Sequence, residues 1–320
     1  MFDRNKLLLK SLQERKHDLD FSQLIPLKEQ TKFTDTGLIV AAKRMIAAKK
    51  NKAAAILMMG AHVIRSGVQR YLLDLMARGY ISCLVMNGAG AIHDYELALI
   101  GATTESVARY IQEGQFGLWR ETGQINDIIN QAYAQNKNVG FGQAVGEYIY
   151  HSEFPFKDIS LLAGCYHCGI PVLVSIGIGC DIIHEHPNCN GAAMGALSYH
   201  DFLDLAEVIQ NLEHGIVLNF GSAVMAPEVY LKALSMARNV ARQHGEAIKH
   251  FTTLVCDLHD FGTDFSREPA KDNPAYYFRP WKTMLIRTVA DGGESFYVKG
   301  RHAETIPALW TAINNWESFQ

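Results

Sequence analysis

Two short apolar runs that end in glycine-bearing polar turns constrain the fold of this chain more than any other feature. The first run, residues 53–59, ends in a turn that begins at Gly60. The second run, residues 81–86, ends in a turn that begins at Asn87. Between them, leucine and methionine recur at spacings of three and four over residues 68–78, which predicts a helix. The segment therefore predicts a strand, helix, strand unit whose turns lie at one edge of a parallel sheet.

The pattern of a buried run followed by a polar turn recurs three more times. Apolar runs at 170–175, 216–219 and 251–256 each lead into residues rich in Gly, Asp, Asn or His. Helical patterns connect these runs, and no proline- or serine-rich linker interrupts them. The order predicts an α/β fold with a Rossmann-like, open, mainly parallel sheet and helices on both faces. Ligands of such sheets bind at the carboxyl ends of the strands.

The length and composition favour one large domain. A chain of 320 residues with 48% hydrophobic residues can bury a large core. Residues 1–36 are predicted to form an N-terminal helical extension, and residues 37–320 a single domain. The glycine-punctuated stretch 101–123 is predicted to be a loop and a short helix rather than a strand.

Charge and hydropathy exclude several classes of partner. The formal net charge is -3, and no run of five or six basic residues offers a footprint for nucleic acid or an anionic membrane. No apolar stretch approaches the length needed to cross a bilayer, and the N-terminus lacks a secretory signal pattern. We therefore predict a cytoplasmic protein with a small-molecule partner.

A group of cysteines and histidines offers an alternative site chemistry. Cys165 and Cys168 form a CxxC pair, and His184, His186 and Cys189 follow, so thiolate and imidazole ligands for zinc are present at plausible spacings. The CxxC pair falls near the end of a predicted helix, where small side chains pack in the core. We therefore predict no metal, with this group as the open alternative.

Four turns, in their order along the chain, are similar to those of a known family. They are residues 60–67, 88–94, 179–181 and 261–264. Their order resembles deoxyhypusine synthase and its bacterial relatives, a family of NAD-dependent, Rossmann-like enzymes that assemble as homotetramers. The resemblance extends over about residues 37–307. It implies NAD as cofactor, an enzyme that oxidises a polyamine or other small amine, and transfer of an aminoalkyl group.

The same resemblance implies roles for individual residues. Asp181 and Asp264 would bind the amine and take part in catalysis, with Trp281 and Arg279 beside the substrate. The lysine that carries the aminoalkyl group in the family corresponds to Arg279 or, with a slip, to Lys282. An arginine cannot serve as that nucleophile at neutral pH, so Lys282 is the predicted catalytic lysine. The predicted cofactor-binding residues are Gly60, Ser66, Asn87, Gly88, Gly90 and Asp94.

Two alternative functions remain open at this stage. The turn 90–96 is more similar to a related cyclodeaminase branch, which uses NAD and an amino-acid substrate. There His93 and Asp94 would lie beside the cofactor, and His93 could act as an acid or base because imidazole titrates near neutral pH. Arg279 at the expected lysine position favours a third interpretation, in which the chain is a non-catalytic subunit that regulates an active partner.

Overall fold

The architecture comes from a computed structural model, which describes residues 2–136, 138–262 and 264–317. In this part of the chain, eight strands form a six-stranded sheet and a two-stranded ribbon. The strands are β1 (His17–Asp20), β2 (Ala55–Met59), β3 (Cys83–Asn87), β4 (Ala102–Glu105), β5 (Val172–Ser175), β6 (Ile216–Phe220), β7 (Thr252–Asp257) and β8 (Glu294–Lys299). The helices are α1 (Thr36–Asn51), α2 (His62–Arg65), α3 (Gln69–Ala77), α4 (Gly88–Ile100), α5 (Val107–Gln112), α6 (Gln124–Gln135), α7 (Phe141–His151), α8 (Leu161–Cys168), α9 (Gly191–Gln210), α10 (Met225–Gln243) and α11 (His302–Glu317).

The large sheet has the strand order of a dinucleotide-binding fold. Its order is β5-β3-β2-β6-β7-β8, and every neighbouring pair is parallel. Numbered by their succession within this sheet, the strands lie in the order 3-2-1-4-5-6, which places the topological switch point between β2 and β6. The predicted Rossmann-like α/β fold is confirmed.

The apolar runs form central strands because both faces of the sheet are covered. All five residues of β2 are buried, and successive residues alternate between two cores. Leu57 belongs to the core that includes α1 and α3 residues, whereas Ile56 and Met58 belong to the core on the α10 face. Continuous apolar strands of this kind are typical of parallel sheets with helices on both sides.

Among the described residues before α1, the helical fragments are short 3-10 helices and none is an α-helix, and the predicted domain boundary at residue 36 stays a prediction. This N-terminal segment forms three 3-10 turns and β1, which pairs antiparallel with β4 inside the stretch predicted to be a loop. Thr103 of β4 lies opposite Leu19 of β1. A short strand whose partner lies more than 80 residues away leaves no local signal, so the pairing could not be predicted from periodicity.

The sequence pattern does not predict strand β8, because this strand lies at the edge of the sheet. Only Val298 in this strand is buried, so the segment lacks the apolar run that marks the central strands. Among the described residues, no helix is long and apolar enough to span a membrane.

Candidate active site

A cavity of about 330 Å³ lies where β2, β3 and β5 end, and we refer to it as the edge cavity. Its volume lies at the lower end of the range for small-molecule sites. The first turns of α4 form one wall, the residues after β5 form another, and β4 closes the side. The lining residues are Arg15, Arg65, Ala89, Ile92, His93, Glu96, Thr104, Glu105, Val107, Phe116, Cys180, Asp181 and Ile182.

Asp181 places a buried carboxylate at the start of α4. Its Oδ2 atom is buried and has no hydrogen-bond partner in the described part of the chain. Burial raises the pKa of Asp181 to about 6, and the backbone amide of Ala89 opposes that rise. A carboxylate oxygen without a partner at a cavity wall is a site for a cationic or hydrogen-bonding ligand group.

Position 88, the first of α4, has no room for a larger residue than glycine because the Asp181 carboxylate lies against it. A Cβ atom at Gly88 would lie 2.2 Å from Asp181 Oδ2. We expect Gly88→Ala to displace the carboxylate and to lower the free energy of unfolding by about 1–3 kcal/mol, as overpacking does. Urea denaturation of the whole chain measures this effect.

Gly191 provides the matched control for Gly88. It is the first residue of α9 and follows the N-cap Asn190, as Gly88 follows the N-cap Asn87. A Cβ at Gly191 would meet no atom within 4 Å, so Gly191→Ala should leave stability unchanged or raise it slightly. Equal effects at both glycines would contradict the close contact between Gly88 and Asp181.

His93 lies on α4 with one ring nitrogen turned away from the edge cavity. Its Nδ1 atom is 2.8 Å from Thr103 Oγ1. Burial, together with the positive charges of Arg65 and Arg15, lowers the pKa of His93 to about 4, although the negative charge of Glu96 opposes the shift. His93 is therefore a neutral imidazole at physiological pH, with Nε2 left for other contacts.

A buried ion pair supports the wall behind His93. Arg15 donates two hydrogen bonds to Glu96, at 2.9 and 2.7 Å, and both side chains are 1% exposed. Thr103 and Thr122 donate to the same carboxylate. The four donors satisfy both oxygens of Glu96, which is the condition for stable burial of a charge.

Two further lining residues have polar groups available to a ligand. Arg65 forms no salt bridge within the described residues, and its closest polar contact is His62 Nε2 at 3.4 Å. Thr104 Oγ1 is buried without a partner, and the backbone φ of Thr104 is 64°. A left-handed conformation is unusual for a β-branched residue, and such outliers concentrate at functional sites.

The residues predicted from the resemblance divide into two groups in space. Asp181 and His93 line the edge cavity, whereas Lys282, Trp281, Arg279 and Asp264 do not. The second group lies around the long segment that follows β7. Its roles in catalysis and substrate binding stay predictions.

Each member of the second group has contacts of its own. Lys282 is 3% exposed, and its Nζ lies 3.4 Å from the centre of the Tyr276 ring. Trp281 is buried and donates from Nε1 to the backbone oxygen of Arg267. Arg279 pairs with Glu228 at 3.3 Å. Asp264 is exposed and accepts hydrogen bonds from the backbone and hydroxyl of Ser266.

The predicted cofactor-binding residues lie at or after the carboxyl ends of β2 and β3. The contacts that they make within the chain stabilise the turns and the start of α4. Asn87 caps α4 by accepting from the Gly90 amide. Ser66 donates to the His62 carbonyl. A Cβ at Gly60 would lie 2.5 Å from the Gly221 oxygen, so this glycine lets the β2 and β6 turns approach each other.

Asp94 differs from the other predicted cofactor ligands because it is fully engaged in the core. It is 1% exposed and accepts from the Ser160 hydroxyl and from the Leu161 and Leu162 amides. These groups begin α8, so Asp94 fixes that helix against α4. The structure does not place Asp94 at the edge cavity.

The cysteines and histidines considered for zinc do not assemble in the described part of the chain. No group of three or more His, Cys, Asp or Glu side chains there could hold a metal ion. Cys165 is buried with its Sγ 3.5 Å from Met76 Sδ. His186 is buried against the Gly117 carbonyl, and His184 accepts from the amides of Gly179 and Asp181.

Sequence reasoning missed several cavity residues. Glu96 follows His93 by three positions on α4, so helical spacing alone could have placed it near the site. Arg15 and Thr104 leave no such signal, because the N-terminal segment and β4 reach the cavity through the pairing of β1 with β4. Arg65 lies in a turn that the sequence singled out, and its position after β2 was the available clue.

Part of the chain matches a known family model. Residues 40–140 match the C-terminal Rossmann fold of the ArgZ-like arginine dihydrolases. This region includes β2, α4 and β4, and thus much of the edge cavity. No curated protein sequence matches the chain significantly.

Solved structures show a similar fold at low sequence identity. A conserved LOR/SDH protein from Methanococcus maripaludis S2 has a TM-score of 0.52 at 16% identity, with 92% of this chain and 74% of that chain covered. ArgZ, an arginine dihydrolase of the ornithine-ammonia cycle in cyanobacteria, has a TM-score of 0.51 at 16% identity, with 88% and 33% covered. AgrE in complex with ornithine and NAD+ has a TM-score of 0.51 at 15% identity, with 91% and 35% covered.

These similarities establish the fold, and the chain spans only about a third of ArgZ and AgrE. A structure assigned as deoxyhypusine synthase, from Entamoeba histolytica, has a TM-score of 0.41 at 10% identity, too low to support the more specific resemblance. The chain is therefore similar in fold to the LOR/SDH, ArgZ and AgrE proteins, and over residues 40–140 to the ArgZ-like C-terminal Rossmann family.

Proposed function

We propose that this chain is an NAD-dependent enzyme that acts on a small basic amino acid, as a deaminase or cyclodeaminase does. The observation that carries the proposal is the buried Oδ2 of Asp181 in a cavity that also contains the guanidinium of Arg65, because within the described residues the first has no hydrogen-bond partner and the second no salt bridge. A carboxylate suits an ammonium group, and a guanidinium suits a carboxylate. The crystallised complex of AgrE with ornithine and NAD+ supports the same pair of ligands.

The strand order at the carboxyl edge of the sheet is suited to a dinucleotide, whereas the sequence there departs from the common glycine-rich fingerprint. The strand order 3-2-1-4-5-6 places a crevice at the ends of β2 and β6. His302 packs against Gly221 there, and its buried Nδ1 has no hydrogen-bond partner in the described part of the chain. In the G-x-G-x-x-G pattern, His62 and Arg65 occupy the second and third glycine positions after Gly60. A ring N–H of His62 would donate to a phosphate in place of the close backbone approach that glycine permits, and Arg65 would be left for the substrate.

NAD, when bound, would supply a hydride acceptor for the carbon that bears the amine. The chain's own residues do the remaining work. Arg65 holds the substrate carboxylate, Asp181 holds an ammonium group, and the neutral imidazole of His93 accepts a proton from the reacting amine. The apolar side chains of Ile92, Val107 and Phe116 line the same cavity.

Lys282 does not support the aminoalkyl transfer that the deoxyhypusine synthase resemblance implies. Its Nζ faces the Tyr276 ring, and the side chain lies outside the edge cavity. The amino-acid deaminase alternative needs no such lysine, and the match of residues 40–140 favours it.

The affinity for a cationic amino acid should depend on pH through Asp181. Its raised pKa of about 6 means that the carboxylate becomes protonated as the pH falls below that value. We expect the Kd for L-ornithine to be constant above about pH 7 and to rise about tenfold per unit below about pH 6, because the protonated acid cannot pair with an ammonium group. His93 stays neutral throughout this range. Calorimetry across the range measures the dependence.

Asp181→Asn is the control for this prediction, because it removes the titrating group and keeps the size of the side chain. The variant should bind weakly at every pH. Glu185, which lies near the cavity residue Glu105, also has a raised pKa, to about 7, because of burial and the charge of Glu105. Burial also raises the pKa of Glu105, which lines the cavity. A pH dependence that persists unchanged in Asp181→Asn would assign the effect to one of these glutamates and contradict the prediction.

The proposed function is tested by measuring ammonia release from L-ornithine with and without NAD+, together with NAD+ binding by calorimetry. Ammonia release that requires NAD+ supports the proposal. Neither NAD+ binding nor ammonia release from L-ornithine, L-arginine or L-lysine would contradict it.

A further inference from the structure

A chain of hydrogen bonds links the edge cavity to a buried charge. His93 Nδ1 lies 2.8 Å from Thr103 Oγ1, and Thr103 Oγ1 lies 2.7 Å from Glu96 Oε2. Arg15 holds Glu96 from the other side. We refer to His93, Thr103 and Glu96 as the His93 relay.

The charge of Glu96 fixes the direction of each hydrogen bond in the relay. Burial on its own would raise the pKa of Glu96, but the charge of Arg15 and the hydrogen bonds to the carboxylate hold it below its usual value. An ionised carboxylate can only accept. Thr103 therefore donates its single hydroxyl proton to Glu96.

The direction of the Thr103 hydrogen bond determines where His93 holds its proton. A hydroxyl oxygen whose proton is already donated can only accept from the imidazole. The contact of 2.8 Å between Nδ1 and Oγ1 thus requires the proton of the neutral ring to lie on Nδ1. The other ring nitrogen, Nε2, makes no hydrogen bond within the described residues.

We infer that Thr103 is a positioning residue that holds His93 in the tautomer protonated on Nδ1, so that Nε2 presents a lone pair to a molecule in the edge cavity. The catalytic meaning of this arrangement rests on the proposed function. When the substrate ammonium reacts, one of its N–H bonds breaks and a new N–H bond forms at Nε2. The imidazolium that results is stabilised through Thr103 by the negative charge of Glu96.

The tautomer can be measured without any substrate. The whole chain is labelled with ¹⁵N at histidine, and the His93 signals are assigned by their loss in His93→Gln. We expect the parent chain to show a protonated Nδ1 and a bare Nε2. A parent His93 that is protonated on Nε2 would overturn the inference.

Two substitutions at Thr103 test its positioning role. Thr103→Val removes the hydroxyl at nearly constant volume, and should convert His93 to a mixture of tautomers and lower kcat/KM for L-ornithine by about 10- to 100-fold, as loss of a partner that orients an imidazole does elsewhere. Thr103→Ser keeps the hydroxyl and should restore both the tautomer and the activity. A tautomer unchanged in Thr103→Val would overturn the inference.

These measurements separate the inference from the proposed function. If His93 shows the expected tautomer and responds to Thr103→Val, the positioning role of Thr103 is supported even when L-ornithine yields no ammonia. That combination would count against the proposed function alone.

Discussion

Asp181→Asn should lower kcat/KM for L-ornithine about 30-fold or more, because one partner of a buried charge pair is lost. This loss corresponds to an increase of about 2–5 kcal/mol in the activation free energy. Asparagine keeps the size of the side chain, and Asp181 makes no salt bridge in the described part of the chain that the substitution could break. Steady-state kinetics of NAD+-dependent ammonia release measures the loss. The affinity for NAD+ should change little, since the carboxylate is assigned to the amino-acid substrate.

Asp264→Asn is the matched control for Asp181→Asn. Both positions were predicted to bind the amine, yet Asp264 is exposed and, among the described residues, accepts hydrogen bonds from Ser266 alone. We expect its replacement to leave kcat/KM within about twofold, as surface substitutions do. A loss at Asp264 equal to that at Asp181 would instead favour the amine site implied by the deoxyhypusine synthase resemblance.

Arg15→Met should lower the free energy of unfolding by about 3–5 kcal/mol, because it leaves the buried carboxylate of Glu96 without its counter-charge. The Arg15 and Glu96 side chains are each 1% exposed, so little solvent contacts the pair to compensate for the lost guanidinium. Methionine keeps most of the side-chain volume, so cavity formation contributes little. Urea denaturation followed by circular dichroism measures the change.

Arg44→Met provides the comparison for a pair of the same type at the surface. The side chains of Arg44 and Glu294 are 51% and 36% exposed. Solvated pairs contribute about 0–1 kcal/mol, so this substitution should have a small effect. Similar losses for Arg15→Met and Arg44→Met would show that the N-terminal segment is not anchored by its buried pair.

The central sheet could be predicted because strands that are buried on both faces appear in the sequence as continuous apolar runs. β2 and β3 are nearly continuous apolar runs, and each ends at a turn residue that the structure places at the carboxyl edge. β8 and the β1–β4 ribbon have no such runs. Edge strands and distant pairings depend on contacts between separate parts of the chain, which local periodicity does not contain.

The site was predictable to the same extent. Asp181 and His93 were predicted from resemblances carried by turns that follow strand ends, and both line the edge cavity because parallel strands bring their ends together, while their roles stay predictions. Arg15 and Thr103 could not be found, since their approach to α4 depends on the antiparallel ribbon. Lys282 was selected by resemblance to a family motif, which cannot say whether its side chain faces the edge cavity or the Tyr276 ring.

The most direct test of the edge cavity as the amino-acid site is a crystal structure of the chain soaked with NAD+ and L-ornithine. We predict density for the amino acid between Arg65 and Asp181, with its carboxylate on the guanidinium and an amine within hydrogen-bond distance of Oδ2. Amino-acid density beside Lys282 and Asp264, with none between Arg65 and Asp181, would contradict it.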